Sequence, residues 1–189
     1  MKQIFDRWQA KDGSWLAMRR MHPSDAPLLK DSLNQLSASA RRNRFFASIA
    51  EFSDAAVQQL VDVDPEKTYP LVVLRTVDGM PVPIAGGRLI EEDDGSSCSF
   101  SLLVGDDWQG LGIGRRILKA LLREAARRRL RQMYGHVLSD NQPMLRLARS
   151  LRFVVLNSDE GGDVLTVVHD LPVASRGRRR GFFGSLFRK

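Results

Sequence analysis

The chain has 189 residues, 43% hydrophobic and 27% charged, enough for one medium-sized domain with a real core. A lone Cys98 excludes an intramolecular disulfide framework and a cysteine-rich metal site, and no apolar run approaches the length of a transmembrane helix. Six basic residues and no acid fall in 172–189, so most of the net charge of +7 sits there and the body is nearly neutral.

The opening MKQIFDRWQAKDG has Asp6 and Arg7 where a signal peptide carries its apolar stretch, so a cytoplasmic chain is expected. Gly13 to Arg20 reads as a first strand, followed by the turn His22-Pro23-Ser24-Asp25. Ser24 or Asp25 caps a helix through Leu28, Leu29, Leu33 and Leu36. A short helix covers Ala40 to Phe46, and a third starts after the N-cap Ser53, with Ala56, Val57, Leu60 and Val61 at helical spacing. Tyr69–Val77, Val82–Ile90 and Ser97–Val104 read as an antiparallel meander, turning at Asp78-Gly79 and at Glu91 to Gly95. Ile113, Ile117, Leu118, Leu121, Leu122 and Ala125 then mark the clearest amphipathic helix. Met133–Leu138 is a strand, Asn141–Leu151 a helix, and Phe153–Leu156 with Val164–Val168 a closing hairpin. The order β-ααα-βββ-α-β-α-ββ predicts an α+β fold on a mixed sheet, spanning 1–171, with 172–189 as an appended basic-aromatic tail.

Gly110, Gly112 and Gly114 alternate where a strand gives way to a helix. Amide groups at a helix start form an anion site, and glycine lets a phosphate approach the backbone. The dinucleotide fingerprint fails because Arg115 stands three after Gly112, and the P-loop fails because no Gly-Lys-Ser/Thr follows. A turn that binds nothing is the competing reading, against which stands the entropic cost of three glycines.

Gln109-Gly110-Leu111-Gly112-Ile113-Gly114 matches Gln/Arg-x-x-Gly-x-Gly/Ala, and by it the chain resembles the GNAT acetyltransferases. Asp107-Trp108-Gln109-Gly110, the run Arg44-Phe45-Phe46 and Asn141-x-x-Met144-Leu145 are similar to the acetyltransferase domain of bacterial protein lysine acetyltransferases. The resemblance covers roughly Trp15 to Asp170 and implies the GNAT fold: a mostly antiparallel sheet, helices on both faces, and splayed central strands. It implies acetyl-CoA as donor, with the pyrophosphate on the amides of Gly110, Leu111, Gly112, Ile113, Gly114 and Arg115, and Gln109 in register. Arg115 and Arg116 would add positive charge near the phosphates, a solvated helix residue being an equal reading for either. The pantetheine arm would pair with Phe100 to Val104, the amide of Leu102 or Leu103 would polarise the thioester carbonyl, and Asn141 and Met144 would complete the cofactor site. For Asn141 a simple helix cap is an equal reading.

The catalytic half of the pattern departs from the family. The glutamate base of the lysine acetyltransferases corresponds to Ser99, which holds at most a water; the tyrosine acid corresponds to Ala148; the glycine before the closing aromatic Phe153 is Arg152. His136, on the strand facing the splayed one, is the replacement base put forward, against the alternative of a histidine without a catalytic role. Glu91, Glu92 and Asp93 read as solvated turn carboxylates, Asp140 as a cap, and Cys98 as a nucleophile with no adjacent base in the sequence or else a buried small residue. No spacing of ligands argues for a metal.

The expected activity is therefore transfer of acetyl from the CoA thioester to an amine, on a protein lysine or a small molecule, by direct attack in a ternary complex. The alternative is a non-catalytic acyl-CoA-binding sensor or regulatory module. In the tail, Phe182, Phe183, Leu186 and Phe187 among arginines suit an anionic membrane surface on the cytoplasmic side or a docking protein, and after those nucleic acid.

Overall fold

A computed structural model describes residues 4–157 and 162–172; the tail assigned to 172–189 lies, from 173 onward, outside the described residues. The first strand, β1 (Ile4–Gln9), precedes the one expected from the sequence, β2 (Trp15–Arg20). Then come α1 (Ala26–Asn34), α2 (Ala38–Phe45), α3 (Asp54–Val61), and the meander β3 (Thr68–Val77), β4 (Met80–Glu91) and β5 (Ser97–Val104). The chain continues through α4 (Ile113–Arg127), β6 (Gln132–Leu138), α5 (Gln142–Ser150), β7 (Val154–Asn157) and β8 (Val164–Asp170). The strands form one sheet ordered β1-β2-β3-β4-β5-β6-β8-β7. Only β5 and β6 run parallel, because α4 carries the chain across between them. Among the described residues no helix is long and apolar enough to cross a membrane.

Alternation along the strands divides the core in two. Leu16, Met18, Leu89, Cys98, Phe100 and Met133 pack with Ile113, Ile117, Leu121, Leu145 and Ala148 under α4 and α5. On the opposite face Val72 and Leu74 receive Leu29, Leu33, Val57 and Val61 from α1 and α3. Helices thus cover both faces, as the resemblance implied. The second core is the smaller.

Capping follows expectation at α3 and departs from it at α1. Ser53 caps α3 by accepting from Ala56 N–H, and Ser37 caps α2 by accepting from Ala40 N–H. Asp25 stands at the N-cap of α1 but makes no side-chain cap there. It accepts instead two bonds from the Arg19 guanidinium, at 2.6 and 2.9 Å, and one from His22 N–H at 2.8 Å. His22 caps the intervening 3-10 turn, Pro23–Asp25.

Gly135 on β6 is required by a close approach. A Cβ there would lie 2.7–3.0 Å from the Phe100 ring, which is itself wedged edge-on to Phe153 at 5.4 Å. Gly135→Ala is expected to lower stability by about 1–3 kcal/mol, read by denaturant unfolding, because the added methyl would press on the Phe100 ring.

Candidate active site

Strands β5 and β6 pair only from Ser97↔Gln132 to Ser99↔Tyr134. Beyond that, β5 stays on β4 as far as Val104, and β6 stays on β8 as far as Leu138. A wedge therefore opens between Phe100–Val104 and Gly135–Leu138. Which β5 groups face it follows from alternation. Gly105 N–H donates to Ile84 O, and Ser97 O accepts from Glu92 N–H, so odd-numbered residues turn their backbone toward β4. Phe100, Leu102 and Val104 then turn theirs into the wedge. Of the two amides expected to polarise a carbonyl, that of Leu102 faces the wedge, while that of Leu103 belongs to the β4 ladder. The Val104 carbonyl receives Gln109 Nε2 at 3.3 Å.

At the wide end of the wedge stands the glycine turn, and its glycines serve different ends. Gly110 (φ 74°) and Gly112 (φ 83°) adopt left-handed backbone, and a Cβ on either would meet nothing within 4 Å. Their surroundings are open. Gly114 instead yields space, since its Cβ would press on Leu102 and Leu147 at 3.3 Å. Gly112 is the N-cap of α4, and the helix ladder begins with Arg116 N–H on Gly112 O. The amides of Ile113, Gly114 and Arg115 consequently have no acceptor within the helix. Leu111 packs its side chain on the core and does not line the cavity.

Arg115 stays at this end, donating to Ser150 Oγ at 2.7 Å. Arg116 does not. Its guanidinium pairs with Asp6 on β1 at 2.9 and 3.1 Å and lies over the Trp8 ring at 4.5 Å, so its expected contribution beside the phosphates is withdrawn. Asn141 caps α5 by accepting from Met144 N–H at 3.2 Å, and both residues also line the cavity. The two readings of Asn141 are thus compatible. Asp140 is not a side-chain cap; it pairs with Arg42 at 2.7 Å.

The cavity, about 1080 Å³, runs from the glycine turn through the wedge to the face beneath α2 and α3. Ser99, Ser101 and His136 line its inner end, where β5 and β6 part; His136 is exposed there. Ser99 stands opposite Tyr134, whose hydroxyl donates to Glu92 Oε1 at 2.9 Å. Burial, and then the Glu92 carboxylate, raise the Tyr134 pKa. His136 follows on the same face of β6, its ring 5.7 Å from that of Tyr134 and its Nδ1 3.5 Å from Thr166 Oγ1. Glu91 and Glu92 are half-buried and engaged, with Arg128 and Tyr134 respectively, which the sequence reading as solvated carboxylates missed; Asp93 is exposed and bonded to Lys67. Ala148 is fully buried in the core and brings no acid to the cavity. Arg152 holds φ 67° at the end of α5, the conformation for which a glycine is suited.

Cys98 is fully buried, and burial pushes its thiol up to about 12. It is expected to resist iodoacetamide at pH 8 in the folded protein and to react once denatured, as thiol mass shifts would show.

Arg44, from α2, and Arg88, from β4, both line the cavity. Sequence reasoning had singled out Arg44 only as part of a resemblance and had not marked Arg88 at all. Nothing in the residues between them signals that α2 packs on β5, the strand beside β4.

The chain belongs to the GNAT acetyltransferase family, whose model matches residues 33–153. It is 29% identical over 168 residues to an acetyltransferase of Pseudomonas aeruginosa, covering 88% of this chain and 89% of that one. It is also 29% identical over 166 residues to the acetyltransferase Pat of Mycolicibacterium smegmatis, covering 87% of this chain but only 49% of Pat. Among solved structures, the GNAT domain of S. lividans PAT superposes with a TM-score of 0.77 at 22% identity, covering 88% of this chain and 96% of that one. The spermidine N-acetyltransferase of Vibrio cholerae, solved with CoA and spermine, superposes at 0.64 with 19% identity, covering 82% and 95%. At these identities the likeness to solved structures is one of fold.

Proposed function

We propose that the chain is an acetyl-CoA-dependent N-acetyltransferase in which an amine attacks the bound thioester directly. The observation that carries this reading is the β5 edge, whose backbone turns into a wedge that ends at left-handed glycines and a helix start. Those features fit the donor. Gly110 to Arg115 would hold the pyrophosphate with the α4 dipole behind it, and Arg115 would add charge. The backbone of Phe100, Leu102 and Val104 would pair with the pantetheine arm, and Asn141 and Met144 would flank it. The family association with CoA in solved relatives points the same way.

When bound, acetyl-CoA supplies an activated carbonyl; the chain supplies position, a donor and a proton acceptor. The Leu102 amide donates to the carbonyl oxygen as negative charge builds on it. His136 takes the proton of the acceptor ammonium, directly or through a water held at Ser99. The free amine then forms the N–C bond while the C–S bond breaks; the nitrogen gives up its remaining extra proton to solvent, and the leaving thiolate takes one from solvent, since Ala148 offers none.

The non-catalytic reading has one observation in its favour: among the described residues the only carboxylate lining the cavity is Asp140, already paired with Arg42. CoA release followed against a panel of amines and acetylable proteins separates the two. Turnover above the hydrolytic background supports the enzyme; tight acetyl-CoA binding with no turnover on any acceptor supports the sensor.

A further inference from the structure

The inner end of the cavity carries positive charge that the donor does not account for. Arg88 stands opposite Ser101 on the sheet, on the face beneath α2 and α3, and Arg44 lines the same cavity from α2. Both are half-buried. Among the described residues neither is in a salt bridge. Arg44 lies 5.0 Å from the Phe45 ring, and Arg88 donates to the carbonyl of Leu60. The two are near enough that Arg88 adds to the burial that pushes Arg44 down to about 10, which leaves Arg44 protonated at neutral pH.

Two half-buried like charges without a counter-ion are unfavourable in the protein alone, and an anion would relieve both desolvation and repulsion. Arginine offers a planar fork of donors matched to a carboxylate. The cavity's other arginines, Arg115 and Arg146, stand at the glycine-turn end or on α5, where the donor's phosphates would lie. Arg44 and Arg88 therefore remain for the other substrate. Ser99 and His136 line the cavity at this same end, so an acceptor held here by an acidic group has its amine within the reacting region.

We propose that Arg44 and Arg88 form an anion site for the acceptor, which carries a carboxylate on the same molecule as the amine that is acetylated. This rests on the acetyltransferase reading and narrows its substrate class. A cationic polyamine is the acceptor this site would reject.

The test compares matched acceptors by the initial rate of CoA release. One arm sets β-alanine against β-alaninamide. A second sets a lysine peptide with Asp and Glu beside the lysine against the same peptide with Ser there. Spermidine is the cationic control. The carboxylate member of a pair is expected to have the higher kcat/KM by at least about tenfold. The arm that shows it distinguishes a free amino acid from an acidic peptide. Arg44→Gln and Arg88→Gln should each collapse that ratio through KM for the carboxylate acceptor, with acetyl-CoA affinity kept, and Arg44→Lys should restore part of it. Preference for the amide, the Ser peptide or spermidine would overturn the proposal, as would a ratio unchanged in both Gln variants.

Calorimetry with glutarate, which has no amine, keeps the proposal testable without turnover. Binding to the wild type that is lost in Arg44→Gln supports the anion site even where no acceptor is acetylated, and in that case it is the acetyltransferase reading that fails. Absence of glutarate binding together with absence of any carboxylate preference overturns the anion site alone.

Discussion

His136→Ala is expected to lower kcat by about 100-fold or more while leaving acetyl-CoA affinity within about twofold. In the proposed mechanism the resemblance sets Ser99 where the family carries its glutamate, and serine has no basic form near neutral pH, so proton removal would fall to another group in the cavity. His136 is the titratable side chain at the inner end other than the two arginines, and the nearby Glu92 does not line the cavity. Glu92 instead accepts the Tyr134 hydroxyl, so Glu92→Gln should change turnover by less than about threefold if His136 is the base. Added imidazole should recover part of the His136→Ala rate, a response that mere loss of packing would not give. Unchanged turnover in His136→Ala would remove it from the mechanism.

Asp25→Ala is expected to destabilise the fold by about 3–5 kcal/mol, a large share of a typical domain's stability. Asp25 is 1% exposed, and its carboxylate holds both the Arg19 fork and the His22 amide where β2 turns into α1. Removing it leaves the Arg19 guanidinium buried without its counter-charge. The double variant Arg19→Met, Asp25→Leu should recover most of the loss, because the pair's net contribution is much smaller than the penalty of breaking it. Urea midpoints of the two variants check this. Equal destabilisation in both would assign the effect to the shape of the turn instead.

Much of the fold was legible because its elements announce themselves locally. The apolar stripe of α4, the caps Ser53 and Asn141, and the Asp78-Gly79 turn, with φ of 49° and 79°, are short-range signals that tertiary structure did not override. Strand β1 was not legible. Ile4 and Phe5 are both exposed, and Asp6, Arg7 and Gln9 interrupt any apolar alternation, so the segment is a strand only because β2 offers an edge to pair with. The cap at α1 failed for a related reason: Arg19, on β2, and the His22 amide hold the Asp25 carboxylate away from the amides of α1.

The candidate site divides in the same way. The glycine turn was readable since its chemistry is written in consecutive residues, although the sequence did not reveal that Gly110 and Gly112 serve backbone conformation while Gly114 serves packing. The choice of Leu102 over Leu103 required the ladder, in which Gly105 on Ile84 sets the phase of alternation. The Arg44–Arg88 pair was beyond reach of any window, because helix α2 must first be laid across the sheet. Arg116 shows the converse, a residue well placed by sequence and drawn away by Asp6 and Trp8.

The glycine turn bears the central claim, that acetyl-CoA binds where β5 opens from β6 and α4 begins. Titration calorimetry of acetyl-CoA into the wild-type protein and into Gly112→Val tests it most directly. A β-branched residue at φ 83° costs roughly 1–3 kcal/mol of backbone strain and would fill the open space above the turn. The wild type should bind one equivalent with Kd on the order of 1–100 μM, and Gly112→Val should bind at least about 100-fold more weakly while remaining folded. Absence of binding to the wild type at about millimolar acetyl-CoA, or equal binding by a folded Gly112→Val, would contradict the claim.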